Sequence, residues 1–165
     1  MTEGATVAEG AAALEEQAEV ARDFLQGLLG EYGISATVNA KIVDEETIEV
    51  SAEGQGLGRL VGPRGATLGA LQDVTRTVVQ HRFGGRTGRI LVDVAGYRQR
   101  RIAALQRFTR QVAEETLRTG LERALEPMSP ADRKVVHDTI NEIAGVVTRS
   151  EGEDPERYVV IARAD

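Results

Sequence analysis

The chain has 165 residues, enough for one medium domain or two small ones. It has no cysteine and two histidines, which excludes a disulfide framework and a thiolate metal site and argues against a zinc centre. Its net charge of −6 is unevenly placed: residues 1–57 hold 2 basic and 12 acidic side chains, residues 58–149 hold 16 and 9, and the last sixteen hold 2 and 5. Such asymmetry suggests a basic working surface between acidic flanks, against the plainer reading of a solvated surface with chance clustering. No run approaches 18 apolar residues, so no membrane insertion is expected. The start, Met1-Thr-Glu-Gly, lacks the basic and apolar regions of a secretory signal, and a cytoplasmic location is expected.

In chain order, residues 1–8 read as a disordered acidic tail. A helix follows from Val7 to Leu29, with Leu14, Ala18, Ala21, Leu25 and Leu28 on one face and Glu15, Glu19 and Asp23 outward. Gly30 and Gly33 close it. Ala36, Val38, Ala40 and Ile42 alternate with polar residues, as do Ile48, Val50 and Ala52; both segments read as half-buried strands joined by a turn at Asp44-Glu-Glu46.

Next comes Gly62-Pro-Arg-Gly65, a Gly-x-x-Gly loop immediately before an amphipathic helix. That helix carries Leu68, Leu71, Thr75, Val78 and Arg82 on one stripe, flanked by Val74 and Val79. Glycines at both ends let the backbone approach a bulky ligand. The first helical amides favour an anion, and Arg64 brings a planar cation suited to phosphate, with Arg59 a little upstream. A KH domain clamps about four nucleotides with such a loop. Alone the motif is weak in a chain of 18 glycines. Its context is more specific, since a further strand at Arg89–Val94 completes the order α-β-β-α-α-β, the type II KH arrangement. A nucleotide P-loop is excluded because no Gly-Lys occurs, and the dinucleotide fingerprint fails after Gly56-Leu-Gly58. His81, near a helix end, reads as a surface or capping residue.

A longer helix is expected from Tyr97 to Leu117, with Ile102, Leu105, Thr109, Val112 and Thr116 buried and Gly120 ending it. It leads a second small domain. Ser129 is a good N-cap, Pro130 suits the first helical position and Asp132 the third. Arg133 and His137, four apart, share one face of this helix, with Lys134 beside them; Val135, Val136, Ile140 and Ile143 form the core side. A basic pair held outward would contact phosphate or base; the plainer reading is an exposed arginine with a half-buried histidine. Strands at Val146–Glu151 and Arg157–Arg163 then form a small sheet joined by Glu151-Gly-Glu-Asp-Pro155.

Four motifs in order carry a resemblance over residues 10–163: Gly62-Pro-Arg-Gly-x-Thr-Leu-x-Ala-Leu-Gln72, Val92-Asp-Val-x-x-Tyr97-Arg-x-x-Arg101, Glu126-Pro-Met-x-Pro-x-x-Arg133-x-x-x-His137, and Ser150-Glu-Gly152. The chain resembles the Jag family, the SpoIIIJ-associated bacterial proteins, which couple a KH domain to a domain named R-three-H for its arginine and histidine. The resemblance implies an α+β protein, a type II KH domain over residues 9–95 followed by an R-three-H α/β domain with a long leading helix over 96–165. It implies a cytoplasmic single-stranded RNA-binding regulator without enzymatic activity or cofactor, tied to cell-envelope growth. It also implies a small companion KH protein as partner and an indirect link to the membrane insertase. Gly62, Pro63, Arg64 and Gly65 then fill the clamp, and Arg133 and His137 the second signature. Two departures stand out. Pro63 replaces a usual basic residue, leaving one charge and one N–H donor fewer, and many members begin with a further domain where a short acidic segment stands here. The alternative is a protein-interaction adaptor on the same fold with weak or no RNA binding.

Overall fold

The computed structural model describes residues 3–85 and 87–164, and for residues 3–12 the course of the backbone alone. The chain divides into two compact units, residues 1–97 and 98–165. The boundary falls two residues beyond the expected one, because Tyr97 packs against the core of the first unit.

In the first unit, helix α1 runs Glu3–Glu31. Met1 and Thr2 of the expected disordered tail lie outside the described residues. From Glu3 the segment is helical, as its alanine content favours. Leu14, Ala18, Ala21, Leu25 and Leu29 are buried at spacings of three and four. Leu29 thus takes the core place expected for Leu28, which is half-buried. Gly33, at φ +67°, turns the chain, and the amides of Gly33 and Ile34 return to the carbonyls of Gly30 and Leu29.

Strand β1 (Thr37–Ile42) lies antiparallel to β2 (Thr47–Glu53), and the Asp44 carboxylate accepts the Glu46 amide at 2.9 Å in the turn between them. A parallel partner needs a crossover. Helix α2 (Gly58–Val61), a 3-10 turn at Pro63–Gly65 and helix α3 (Ala66–Phe83) supply it before β3 (Arg89–Val94). The sheet order is β1-β2-β3. The expected inward residues Ile48, Val50, Ala52, Ile90, Val92 and Val94 are all buried, and with Leu68, Val79 and the α1 stripe they form one core.

In the second unit, α4 (Tyr97–Thr119) buries Leu105, Thr109, Ala113 and Thr116, while Ile102 is exposed and Val112 half-buried. Ala113 takes the position expected for Val112 because the stripe advances 105, 109, 113, 116. Helix α5 (Pro130–Asn141) begins where expected: the Ser129 hydroxyl accepts the Asp132 amide at 3.2 Å. Strands β5 (Val146–Glu151) and β6 (Tyr158–Arg163) pair antiparallel, and β4, only Arg123–Ala124, adds to the far side of β6 in the order β4-β6-β5. Two residues are too few for an alternating pattern to betray β4. Ala113, Leu125, Met128, Val136, Ile140, Val146, Val159 and Ile161 form the core. Among the described residues no helix is long and apolar enough to cross a membrane.

Candidate nucleic-acid interface

The Gly62–Gly65 loop is a tight, left-handed turn. Gly62 has φ +70°, Arg64 φ +52° and Gly65 φ +79°. The Gly62 amide donates to Gly58 and closes α2; the Gly65 amide donates back to the Gly62 carbonyl at 3.2 Å. Gly62 leaves no room for a side chain, and Gly65 combines a positive φ with a tight fit. A Cβ on Gly62 would stand 2.2 Å from Thr67 Oγ1, and one on Gly65 would stand 3.0 Å from the Tyr97 ring. Tyr97 therefore buttresses the loop, which gives that motif residue a packing role. Arg64 holds a conformation that costs a non-glycine residue about 1–2 kcal/mol, and backbone strain of this kind gathers at binding sites. Its side chain is exposed at the tip of the loop, beside exposed Pro63.

Gly65 is the N-cap of α3 and offers no side chain to its first amides, and the first turn contains no acid. The helix start thus carries a partial positive charge with no acid in its own first turn, next to Arg64. Arg59 sits in α2, three residues before the loop. It lines an open cavity of about 530 Å³ with Ser35, Gln55 and Gly56, toward the α1–β1 turn.

In α5 the structure corrects the expected outward pair. Arg133 is 7% exposed. Its Nη1 donates to the Met128 carbonyl at 2.8 Å and to Asp154 Oδ1 at 2.6 Å, and Nη2 reaches Asp154 Oδ2 at 3.3 Å. The reason is periodicity: Arg133, Val136, His137 and Ile140 fall at i, i+3, i+4 and i+7, a single inward stripe. The guanidinium is buried, and three of its five N–H donors are engaged within the unit. Asp154, in the β5–β6 turn, is held below the usual carboxylate range by that bond.

His137 lies half-buried on the same stripe, with Nδ1 2.7 Å from Thr148 Oγ1 and Nε2 2.8 Å from Ser150 Oγ. A neutral imidazole has one donor and one acceptor nitrogen, and two hydroxyls satisfy both in either tautomer. Burial pushes its pKa down; the nearby Asp138 opposes this, while Arg133 and Arg157 add to it. Lys134 points to solvent and pairs with Asp138 at 2.5 Å. Of the second-unit candidates, only Lys134 is exposed.

Two further motif residues, Arg101 and Glu151, have structural partners as well. Arg101 grips Asp132 through Nε at 3.1 Å and Nη2 at 2.9 Å, tying α4 to the first turn of α5. Glu151 accepts the Tyr158 hydroxyl and pairs with Arg149. Asp154, Thr148 and Ser150 were not singled out by partner in the sequence. Within Glu151-Gly-Glu-Asp-Pro155 nothing distinguishes Asp154 from Glu153 until the turn is closed.

Comparison with known proteins identifies the domain in the second unit. The model of the R-three-H domain matches residues 103–163. The chain is 34% identical over 159 residues to RNA-binding protein KhpB of Lactiplantibacillus plantarum, covering 96% of this chain and 48% of that protein. It is 31% identical over 141 residues to RNA-binding protein KhpB of Clostridium symbiosum, covering 85% and 63%. With RNA-binding protein KhpB of Bacillus subtilis it shares 32% over 120 residues, covering 72% and 57%. The chain therefore spans between 48% and 63% of these relatives' own lengths. Residues 103–163 carry an R-three-H domain, and the chain has homologues among the proteins named RNA-binding protein KhpB.

Proposed function

We propose that this is a single-stranded RNA-binding, non-enzymatic regulatory protein whose first unit is a type II KH domain. The observation that carries this reading is the loop: Gly62, which leaves no room for a Cβ, and Gly65, close against the Tyr97 ring, hold an exposed, strained Arg64 beside the start of α3, which has no side-chain cap. Phosphates rest on Arg64 and the α3 amides, and the loop's tightness lets the strand's backbone come close. Bases then lie toward α3 and the outer edge of β3. The names of the relatives support RNA as the ligand.

In the second unit the signature residues Arg133 and His137 act on the fold of the R-three-H domain, and Lys134 is the exposed cation of that helix. Arg59 is a secondary contact at most one turn from the loop. The reading keeps the further expectations of the resemblance: a small companion KH protein, an indirect link to the membrane insertase, and a role in cell-envelope growth and post-transcriptional control in the cytoplasm.

A protein-interaction adaptor is the second reading, and Pro63 favours it, since the loop has one amide donor fewer than its length allows. Titration of the full chain with a short single-stranded RNA, against the Pro63→Asp, Arg64→Asp double variant, decides between them. RNA binding lost in the variant supports the clamp; no RNA binding by the wild type supports the adaptor.

A further inference from the structure

Arg133 is buried, His137 is half-buried and Lys134 pairs with Asp138, so α5 offers RNA little uncommitted charge. Helix α4 is different. Residues 97–113 hold five arginines and no acid, in a chain whose net charge is −6. A helix start favours carboxylates, yet the first turn of α4 has none. Arginines at that end work against the helix, so helix stability does not account for them.

Four of the five are engaged within the chain. Arg101 pairs with Asp132 at 2.9 Å and Arg110 with Glu142 at 2.8 Å, which fastens α4 to both ends of α5. Arg98 and Arg100 have partners as well. Arg107 is exposed, takes no ion pair among the described residues, and has no carboxylate within four positions on either side. Beside it Phe108 is 48% exposed; among the described residues it and Tyr32 are the exposed aromatic side chains. Helical side chains lean toward the N-terminus, so Arg107 and Phe108 project over the turn of Ala103 and Ala104. Both alanines are exposed and too small to cover a ring. The exposed Gln111, one turn on, adds an amide to the same face.

We propose that Arg107 and Phe108 form a second contact for single-stranded RNA, in which a base stacks on the Phe108 ring and Arg107 takes the adjoining phosphate. This rests on the RNA-binding reading of the chain and not on the Gly62–Gly65 loop. Every nucleotide carries a flat π-face and an anion, so a ring beside an uncommitted guanidinium suits a single strand of any sequence. An acidic segment of a partner protein would satisfy Arg107 alone and leave the exposed ring without a role. Two modest contacts on one chain raise affinity through effective concentration.

The test uses the full chain and a twenty-nucleotide single-stranded RNA. Phe108→Ala should weaken binding about fivefold or more, whereas Phe108→Trp, which keeps a ring, should hold the wild-type affinity or improve it. Arg107→Gln should weaken binding and lower the salt slope by roughly 0.7, the share of one single-strand phosphate. In the wild type the Phe108 ring resonances should shift on addition of RNA, a readout that needs no variant to fold. Wild-type affinity in Phe108→Ala, or equal losses in Phe108→Ala and Phe108→Trp, overturns the proposal. Ring resonances that stay in place with RNA overturn it too, and if they move with poly-glutamate instead, the face docks an acidic protein. A wild type that binds no RNA removes the RNA reading and this contact together. If Arg64→Asp weakens binding while Phe108→Ala does not, only the α4 contact falls.

Discussion

Arg133 Nη1 donates to Asp154 Oδ1 over 2.6 Å, holding the acidic β5–β6 turn against the start of α5. The bond belongs to a series. Asp132 takes the Arg101 guanidinium from α4, Arg133 takes the turn, and one helical turn later His137 takes Thr148 and Ser150 of β5. Three positions of one helix thus fasten it to a helix, a turn and a strand. The spacing of arginine and histidine in this signature is the spacing of two inward staples on one face.

Arg133→Met should therefore lower stability and spare RNA affinity. Removing the guanidinium leaves the Met128 carbonyl without its partner in a buried setting, a loss on the order of 1–3 kcal/mol. A chemical denaturation curve with a lower midpoint and an unchanged slope is expected, with affinity for single-stranded RNA within about twofold of the wild type well below the melting temperature. A large affinity loss without a stability loss would place Arg133 at the RNA after all.

The pH dependence of stability follows from His137. Its folded pKa is depressed below 6.5, chiefly by burial. Between that lowered value and 6.5 the unfolded chain binds the proton and the folded one resists it, so stability falls as pH drops through this window and is retained above it. Melting temperatures from about pH 7.5 downward should decline beginning near pH 6.5, and His137→Gln should flatten the decline. The same shift moves any imidazolium contribution to RNA binding to a pH below 6.5.

Most of the first unit was legible in the sequence because its elements follow clean periods. Ile48, Val50 and Ala52, then Ile90, Val92 and Val94, alternate as a half-buried strand must, and all six are buried. The loop was legible through Gly62 and Gly65, though the reason for Gly65, the ring of Tyr97 far along the chain, emerges only in three dimensions. In α5 the spacing of Arg133 and His137 correctly placed them on one face. Which way that face points depends on Asp154, Thr148 and Ser150, which are distant in sequence and bear no pattern of their own. The i, i+3, i+4, i+7 series through Val136 and Ile140 was available, but a charged residue at its head argued against burial.

Gly62→Ala and Arg64→Asp should separate fold from binding at the loop. Alanine at φ +70° is strained by roughly 1–2 kcal/mol, and its Cβ would also meet Thr67 Oγ1, so Gly62→Ala should lower both the melting temperature and RNA affinity. Pro63→Asp with Arg64→Asp should leave the melting curve unchanged and reduce affinity at least about tenfold, as expected when a charge-assisted phosphate contact worth roughly 1.5–3 kcal/mol gives way to repulsion. Differential scanning fluorimetry beside fluorescence anisotropy reads both. Unchanged affinity in the double variant would remove the loop from the interface.

The acidic side of α1 should act on the rate of encounter. Glu15, Glu16 and Glu19 are exposed, and α1 packs on β1, β2 and α3 within the unit that carries the loop. Charges on one small unit lie within a few Debye lengths of each other, about 8 Å each at physiological salt. They repel an approaching phosphate backbone before any contact forms, and like-charge fields of this kind alter association far more than dissociation. Changing all three residues to glutamine should raise the association rate for any single-stranded RNA severalfold at low salt and leave the dissociation rate nearly unchanged. The gain should vanish near 1 M salt, where the Debye length is about 3 Å. Stopped-flow kinetics at the two salt concentrations test this. An equal association rate at low salt would make this face ordinary solvated surface, and a slower dissociation rate would mean that the glutamates touch the bound strand.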